Sequence, residues 1–177
     1  MNQFISYEAI VLPSDGRLPS IVQLTTSPMS KHPRSYTPSP PGCMPHPEVH
    51  MDYIATNLGC RAWKYQLVEA LYGMNRRFAN PYIIFYPTIS RDGMPFPINK
   101  TIKGIQGRAF KEEYAWRGNI IVAKYRDIDN PFTSMIDAAM SDFPILKNYL
   151  LTHGCSRQNR PSWAIGHRQA DQISARS

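Results

Sequence analysis

The chain has 177 residues, with 20 Lys and Arg against 13 Asp and Glu, giving a net charge of +7 at pH 7. This length fits one domain, and no block of five or six like charges indicates a dedicated polycationic arm. No apolar run reaches the roughly 18 residues of a membrane helix, and the first residues lack the basic segment of a secretory signal, so we expect no membrane contact. Three cysteines without a disulfide spacing favour a cytoplasmic or nuclear location.

Proline and aromatic residues are distributed in opposite ways along the chain. Nine of the 16 prolines precede residue 48, and sixteen of the twenty aromatic residues lie in 48–151. We therefore predict a proline-rich linker at 27–47, a globular domain at 48–151 and a flexible basic tail at 152–177. Two apolar stretches within residues 1–26 could pair as an N-terminal hairpin: FISYEAIVLP and SIVQLTT.

Apolar spacing predicts the first elements of the domain. Trp63, Leu67 and Leu71 recur at four-residue intervals before Gly73, which predicts a short amphipathic helix. Residues 82–90, YIIFYPTIS, are apolar on both alternating faces, which predicts a central strand covered on both sides. A helical spacing follows, broken near the second of two glycines because each costs about 1 kcal/mol in a helix interior: Ile98, Ile102, Gly104, Ile105, Gly107 and Ala109.

A second strand is predicted at 119–126, followed by a helix that Ser134 and Asp137 cap and that Gly154 ends. Pro144 predicts a kink in that helix. Its buried stripe would be Met135, Ala139, Phe143, Leu146 and Leu150. Two strands joined through helices favour a parallel pair in a right-handed crossover. The predicted fold is a small α/β (or α+β) domain with two central strands and three to four short helices.

Four segments carry a resemblance to known sequences: HPEVHMDYIATN, NPYIIFYPTISRDGMPFPINK, AWRGNIIVAKY and NPFTSMIDAAMSDFPILKNYL. They resemble a group of short, uncharacterised proteins from mushroom-forming fungi over about residues 46–151. The resemblance implies no activity, substrate or cofactor.

A GxxG motif at 104–107 is followed by the predicted helix RAFKEEYAW and then by the strand NIIVAKY. This order is similar to the middle of a KH module, in which a GxxG loop between two helices lets the backbone approach phosphates closely. The residues of such a nucleic-acid clamp would be Lys103, Gly104, Gly107, Arg108 and Lys111. Against it, Ile105 and Gln106 carry no charge and no third strand is evident, so a plain helix break is the alternative.

The strand after Arg117 and Gly118 also begins like the aromatic strand of an RRM. However, Asn119 and Ile121 stand where stacking rings would be needed, so we reject an RRM.

Two further groups of residues could carry chemistry. Cys43, His46, His50 and Cys60 have the donor types of a tetrahedral zinc site, although their spacing follows no zinc pattern. The alternative is a solvated histidine pair beside a small buried cysteine. Ser27, Thr37 and Ser39 each precede a proline and are candidate phosphorylation sites.

No nucleophile, zincin, P-loop or dinucleotide motif occurs. Glu112 and Glu113 point about 100° apart on a predicted helix, and His153 and Cys155 fall at the start of the predicted tail. We therefore rank three hypotheses: first a non-enzymatic protein-interaction module with an unknown protein partner, second single-stranded nucleic-acid binding through 104–107, and third an enzyme with a non-contiguous site. No cofactor is expected.

Overall fold

The computed structural model describes residues 5–28, 49–50, 58–71, 76–129, 131 and 134–155. Within these ranges the strands are Ile5–Leu12 (β1), Ser20–Pro28 (β2), Val49–His50 (β3), Cys60–Val68 (β4), Tyr82–Ser90 (β5), Ile120–Tyr125 (β6) and Met135–Ile136 (β7). The α-helices are Lys100–Gln106 (α1) and Phe143–Thr152 (α2). Short 3-10 helices lie at Gly107–Ala109, Glu112–Tyr114 and Met140–Asp142.

The strands form one sheet in the order β3-β2-β1-β6-β5-β4, and every described pairing is antiparallel. On one edge of β6, β1 pairs with Ile120–Val122 and the two-residue β7 pairs with Lys124 and Tyr125. The other edge of β6 pairs with β5. Two hairpins distant in sequence, β1–β2 and β4–β5, thus meet on β6.

The predicted α/β fold with a parallel crossover is wrong. The two strands predicted as central, β5 and β6, are indeed neighbours, but they run antiparallel. A nine-residue strand spans about 30 Å, whereas a seven-residue helix such as α1 spans about 10 Å. α1 is thus too short to carry the chain back along the sheet, and the chain leaves β5 and enters β6 at the same end. Only two α-helices, not three to four, lie within the described residues.

The helix predicted from Trp63, Leu67 and Leu71 is strand β4. An interval of four residues fits a strand, with a period of two, as well as it fits a helical turn. In the structure Trp63, Tyr65 and Leu67 contribute to the same hydrophobic cluster on one face of the sheet, as alternation requires. The aromatic and β-branched content of CRAWKYQLV favours the strand.

The long helix predicted from Ser134 onward is divided into three elements: β7, the 3-10 helix Met140–Asp142 and α2. Met135–Ile136 forms β7, and α2 begins only at Phe143, with Pro144 in its first turn. A proline there loses no hydrogen bond and suits the start of a helix, so Pro144 marks the beginning of α2 and not a kink.

The two faces of the sheet are buried in different ways. The face that carries Ile84 and Val122 packs against both helices, through Ile102 of α1 and Leu146 of α2. The opposite face carries Phe85 and Ile121 in a second cluster, which Leu58, Phe96 and Ile128 also join. Both α-helices therefore form a single layer, and the outer side of α1 faces away from the core.

The ends of the predicted domain also differ in the structure. The stretch predicted as an N-terminal hairpin is β1–β2, and β1 lies inside the sheet. β2 extends to Pro28, while 29–47 of the predicted linker lies outside the described residues. α2 reaches Thr152 and Cys155 is buried, so the fold includes the first residues assigned to the tail. Residues 156–177 lie outside the described residues.

One side chain joins β1, the entry to β6 and α1. Asn99 is fully buried and caps α1, because its Oδ1 accepts the N–H of Ile102 at 2.9 Å. Its Nδ2 donates to the carbonyl oxygens of Leu12 and Gly118, both at 2.9 Å. These three bonds place the start of α1 where the two strands meet.

We expect Asn99→Asp to lower the free energy of unfolding by about 3 kcal/mol, because the carboxylate has no N–H to donate and would be buried near two carbonyls. Urea denaturation at neutral pH would measure the change. Asn148→Asp is the matched control, since Asn148 is exposed on α2 and the same substitution there should cost at most about 0.5 kcal/mol. Equal losses at the two positions would contradict the role given to Asn99.

Candidate nucleic-acid interface

The outer side of α1 carries cations and glycines together. Positions i, i+3, i+4 and i+7 share one helix face, so Lys100, Lys103, Gly104 and Gly107 point outward, and all four are exposed. Ile102 is buried on the inner side. Arg108, in the 3-10 helix that follows α1, and Lys111, just before the next one, are also exposed. We call this group the α1 surface: Lys100, Lys103, Gly104, Gly107, Arg108 and Lys111.

Both glycines of the α1 surface are uncovered. A Cβ added at Gly104 or at Gly107 would meet no atom within 4 Å. Gly107 ends α1 with φ of 52°, and its N–H donates to the carbonyl of Lys103. The backbone is therefore open to close approach from outside at two points one turn apart.

The arrangement expected from a KH module is not present. The GxxG motif lies within α1 and at its end, instead of in a loop between two helices. The predicted second helix, RAFKEEYAW, forms the 3-10 helices Gly107–Ala109 and Glu112–Tyr114. Of the five residues predicted for a nucleic-acid clamp, Lys103, Gly104 and Gly107 thus lie on one face of α1, and Arg108 and Lys111 lie in the segment that follows it. The sequence prediction missed Lys100, although its position four residues before Gly104 could have indicated it.

The cations of the α1 surface have no carboxylate partner within the described residues. Glu112 faces Arg117 instead, at 3.9 Å, and Glu113 is exposed. Lys103 Nζ lies 4.9 Å from the centre of the Phe110 ring, a cation–π contact that leaves its ammonium available to an anion. Over 100–117 the chain carries five basic and two acidic side chains, a local excess of positive charge.

The two described residues of the predicted zinc site lie far apart in the sheet. His50 is in β3 and Cys60 begins β4, and these strands lie at opposite ends of the strand order. Burial raises the pKa of Cys60 to about 11, which disfavours the thiolate that a metal requires. Cys43 and His46 lie outside the described residues, and no group of three metal-binding side chains occurs within them. The zinc hypothesis stays a prediction.

The structure describes one of the three phosphorylation candidates. Ser27 is in β2 and pairs with His50 of β3, whereas Thr37 and Ser39 lie outside the described residues. The three sites stay predictions.

A polar cluster on the helix-covered side of the sheet was not predicted. Asp142 is 7% exposed, and its Oδ1 accepts from the Tyr82 hydroxyl at 2.7 Å and from Lys124 Nζ at 3.0 Å. Its Oδ2 accepts the N–H of Ala139 at 2.8 Å. Burial by itself would raise the pKa of Asp142, but these hydrogen bonds and the ammonium outweigh it and lower the pKa. The cluster ties β5 and β6 to the start of α2.

The residues near the C-terminal end of α2 are also part of the fold. His153 Nδ1 lies 2.9 Å from the Tyr149 carbonyl, and the two rings stack with centres 4.0 Å apart. The carbonyl of His153 accepts from Trp116 Nε1 at 3.0 Å and from Gln106 Nε2 at 3.3 Å. His153 and Cys155, which the sequence placed at the start of a flexible tail, therefore belong to the fold. The carbonyl of His153 thus holds together the segments that precede and follow the 3-10 helices Gly107–Ala109 and Glu112–Tyr114.

We expect the stability contribution of Asp142 to depend on pH. Its pKa is lower in the folded than in the unfolded chain, so the contribution is present above about pH 4 and is lost as the pH falls through the lower, folded value. Asp142→Asn should cost about 2–3 kcal/mol at pH 7 and flatten the fall in stability below pH 4. Denaturation at a series of pH values measures both effects.

Asp129→Asn, at an exposed position, is the control for that series and should leave the profile unchanged. A profile below pH 4 that is the same in Asp142→Asn as in the wild type would contradict the assignment.

Comparison with known proteins adds no family. No protein-family model matches the chain, and neither a curated protein nor a solved structure shows a significant match. Among the described residues, no helix has the length and apolar character needed to cross a bilayer.

Proposed function

We propose that the protein binds single-stranded nucleic acid through the α1 surface. The observation that carries this proposal is the pair of uncovered glycines, Gly104 and Gly107, set among four exposed cations without carboxylate partners in the described residues. Phosphate groups could approach the backbone at the glycines while Lys and Arg side chains neutralise their charge.

The dimensions of the α1 surface favour weak binding without base sequence preference. α1 is only about 10 Å long, so it can contact a few phosphates at most. Phosphate contacts position a nucleic acid but carry no sequence information. The expected affinity is therefore modest and strongly dependent on salt.

A protein-interaction module, the function ranked first from the sequence, is the second candidate. Its support is a small apolar area at the end of β5, where Ile89 is 55% and Met94 65% exposed. Single exposed apolar residues are common on protein surfaces, so this observation is weaker than the glycine–cation arrangement. The third hypothesis, an enzyme with a non-contiguous site, stays a prediction.

The double substitution Lys103→Glu with Arg108→Glu tests the charges of the α1 surface. For single strands, the slope of log K against log salt concentration is about 0.7 per neutralised phosphate. The wild type should lose about 50-fold in affinity for an unstructured oligonucleotide between roughly 50 and 200 mM salt if four phosphates are contacted. The variant should bind more weakly and have a slope smaller by about 1.4.

The matched control reverses two exposed arginines, Arg76 and Arg126, which lie near the opposite end of the sheet. It has the same net charge as the test variant. If the two variants lose affinity equally, the binding is a general effect of charge and the α1 surface is not the site. No binding by the wild type at low salt would contradict nucleic-acid binding altogether.

Gly104→Ala separates binding from stability. Gly104 lies inside α1 with open space above it, so alanine should raise the free energy of unfolding by about 0.5–1 kcal/mol. The added methyl group would also hold a phosphate away from the backbone, so the affinity for the oligonucleotide should fall. Thermal denaturation and a binding titration would show the two opposite effects. Higher stability with unchanged affinity would limit the contact to the cations alone.

A further inference from the structure

Tyr114 lies beside the last cation of the α1 surface. The N–H of Tyr114 donates to the carbonyl of Lys111 at 3.0 Å, which closes the turn of the 3-10 helix Glu112–Tyr114. Lys111 is the N-cap of this 3-10 helix and has extended backbone, so Lys111 and Tyr114 begin and end the same turn.

A second set of contacts brings this turn back to the end of α1. Gln106, the last residue of α1, and Trp116, two residues after Tyr114, donate to the same carbonyl oxygen of His153. The chain between Gln106 and Trp116 thus forms a loop whose two ends are held together at His153. Tyr114 lies within this loop, at the end of the 3-10 helix Glu112–Tyr114.

The backbone of Tyr114 is held firmly while its ring is open to solvent. Its carbonyl accepts the N–H of Cys155 at 2.7 Å. Gly154 packs so closely that an added Cβ would lie 2.6 Å from Tyr114 Cβ and 2.9 Å from its carbonyl oxygen. Tyr114 as a residue is nevertheless 44% exposed, among the largest exposures of an apolar or aromatic residue in the described part of the chain.

We infer that Tyr114 is the base-stacking residue of the α1 surface and makes it selective for single strands over duplex. This inference rests on the proposed function, because it needs phosphates on Lys111 and its neighbours. Proteins that bind single strands combine a cationic track with aromatic rings on which unpaired bases stack. In a duplex the base faces are already covered by neighbouring bases, so the ring has nothing to stack on.

The placement of the ring favours this use. A Tyr side chain has few rotatable bonds, and the contacts of Cys155 and Gly154 fix its backbone beforehand, so little conformational entropy is lost on stacking. Every base presents a flat face, so the contact requires no particular base sequence.

Replacement of the ring at constant fold tests the inference. Tyr114→Leu keeps an apolar side chain of similar reach but has no ring, and Tyr114→Trp keeps a ring. An oligonucleotide of unstructured single-stranded RNA and a duplex RNA of the same length are titrated against each variant at several salt concentrations. Tyr114→Leu should weaken single-strand binding by roughly 5- to 100-fold, with Tyr114→Trp restoring it.

Two further readouts distinguish stacking from a structural role. The salt slope of Tyr114→Leu should equal that of the wild type, since the phosphate contacts remain. Its affinity for the duplex should not change. An equal loss for duplex and single strand, or no recovery with tryptophan, would overturn the stacking role.

Failure of the inference differs from failure of the proposed function. If the wild type binds the single strand and Tyr114→Leu binds it equally well, Tyr114 has no part in binding, while the α1 surface stands. If the wild type binds neither nucleic acid at low salt, both proposals fail together.

Discussion

The sheet depends on β6. Within the described pairings, the hairpin β1–β2 and the hairpin β4–β5 have no common partner except this strand. Ile120–Ala123 of β6 are completely buried, as both covered faces of an inner strand require. Any change that removed β6 from the sheet would leave two separate hairpins, neither of which is stable alone in water.

The position of the α1 surface follows from this junction. Asn99 links the end of β1, Gly118 shortly before β6 and the first turn of α1. The inner side of α1 then packs on the sheet through Ile102, while Gln106 holds its last turn to the end of α2. Because both ends of α1 are held on its inner side, the lysines and glycines on its outer side are exposed and do not contribute to the core. A rigid element of this kind suits contact with an extended partner better than a loop does.

Some elements could be predicted from sequence because their patterns are unambiguous. The apolar run YIIFYPTIS and the run beginning at Asn119 give β5 and β6, and the glycine at 107 marks the end of α1. β4 was mistaken for a helix because four-residue spacing satisfies both periods. β7 was absorbed into a predicted helix because two residues are too few to show any periodicity. The antiparallel arrangement depends on which strands meet, and local patterns do not contain that information.

The candidate site, too, could be predicted only in part from the sequence. The glycine pair and its neighbouring cations were visible in the sequence, since GxxG is a local motif. The exposure of Tyr114 was not, because a tyrosine after two glutamates can be buried or open depending on tertiary packing. The cluster around Asp142 joins residues 82, 124 and 142, which only the folded chain brings together.

The pairing of β1 with β6 has a consequence for biosynthesis. Ile10 pairs with Val122, so β1 emerges from the ribosome more than 100 residues before its partner strand. At about 5–20 residues per second this interval lasts several seconds or longer. During that time an apolar strand edge is exposed, a state that invites aggregation or recognition by chaperones. β1 is thus translated early but finds its second partner strand late.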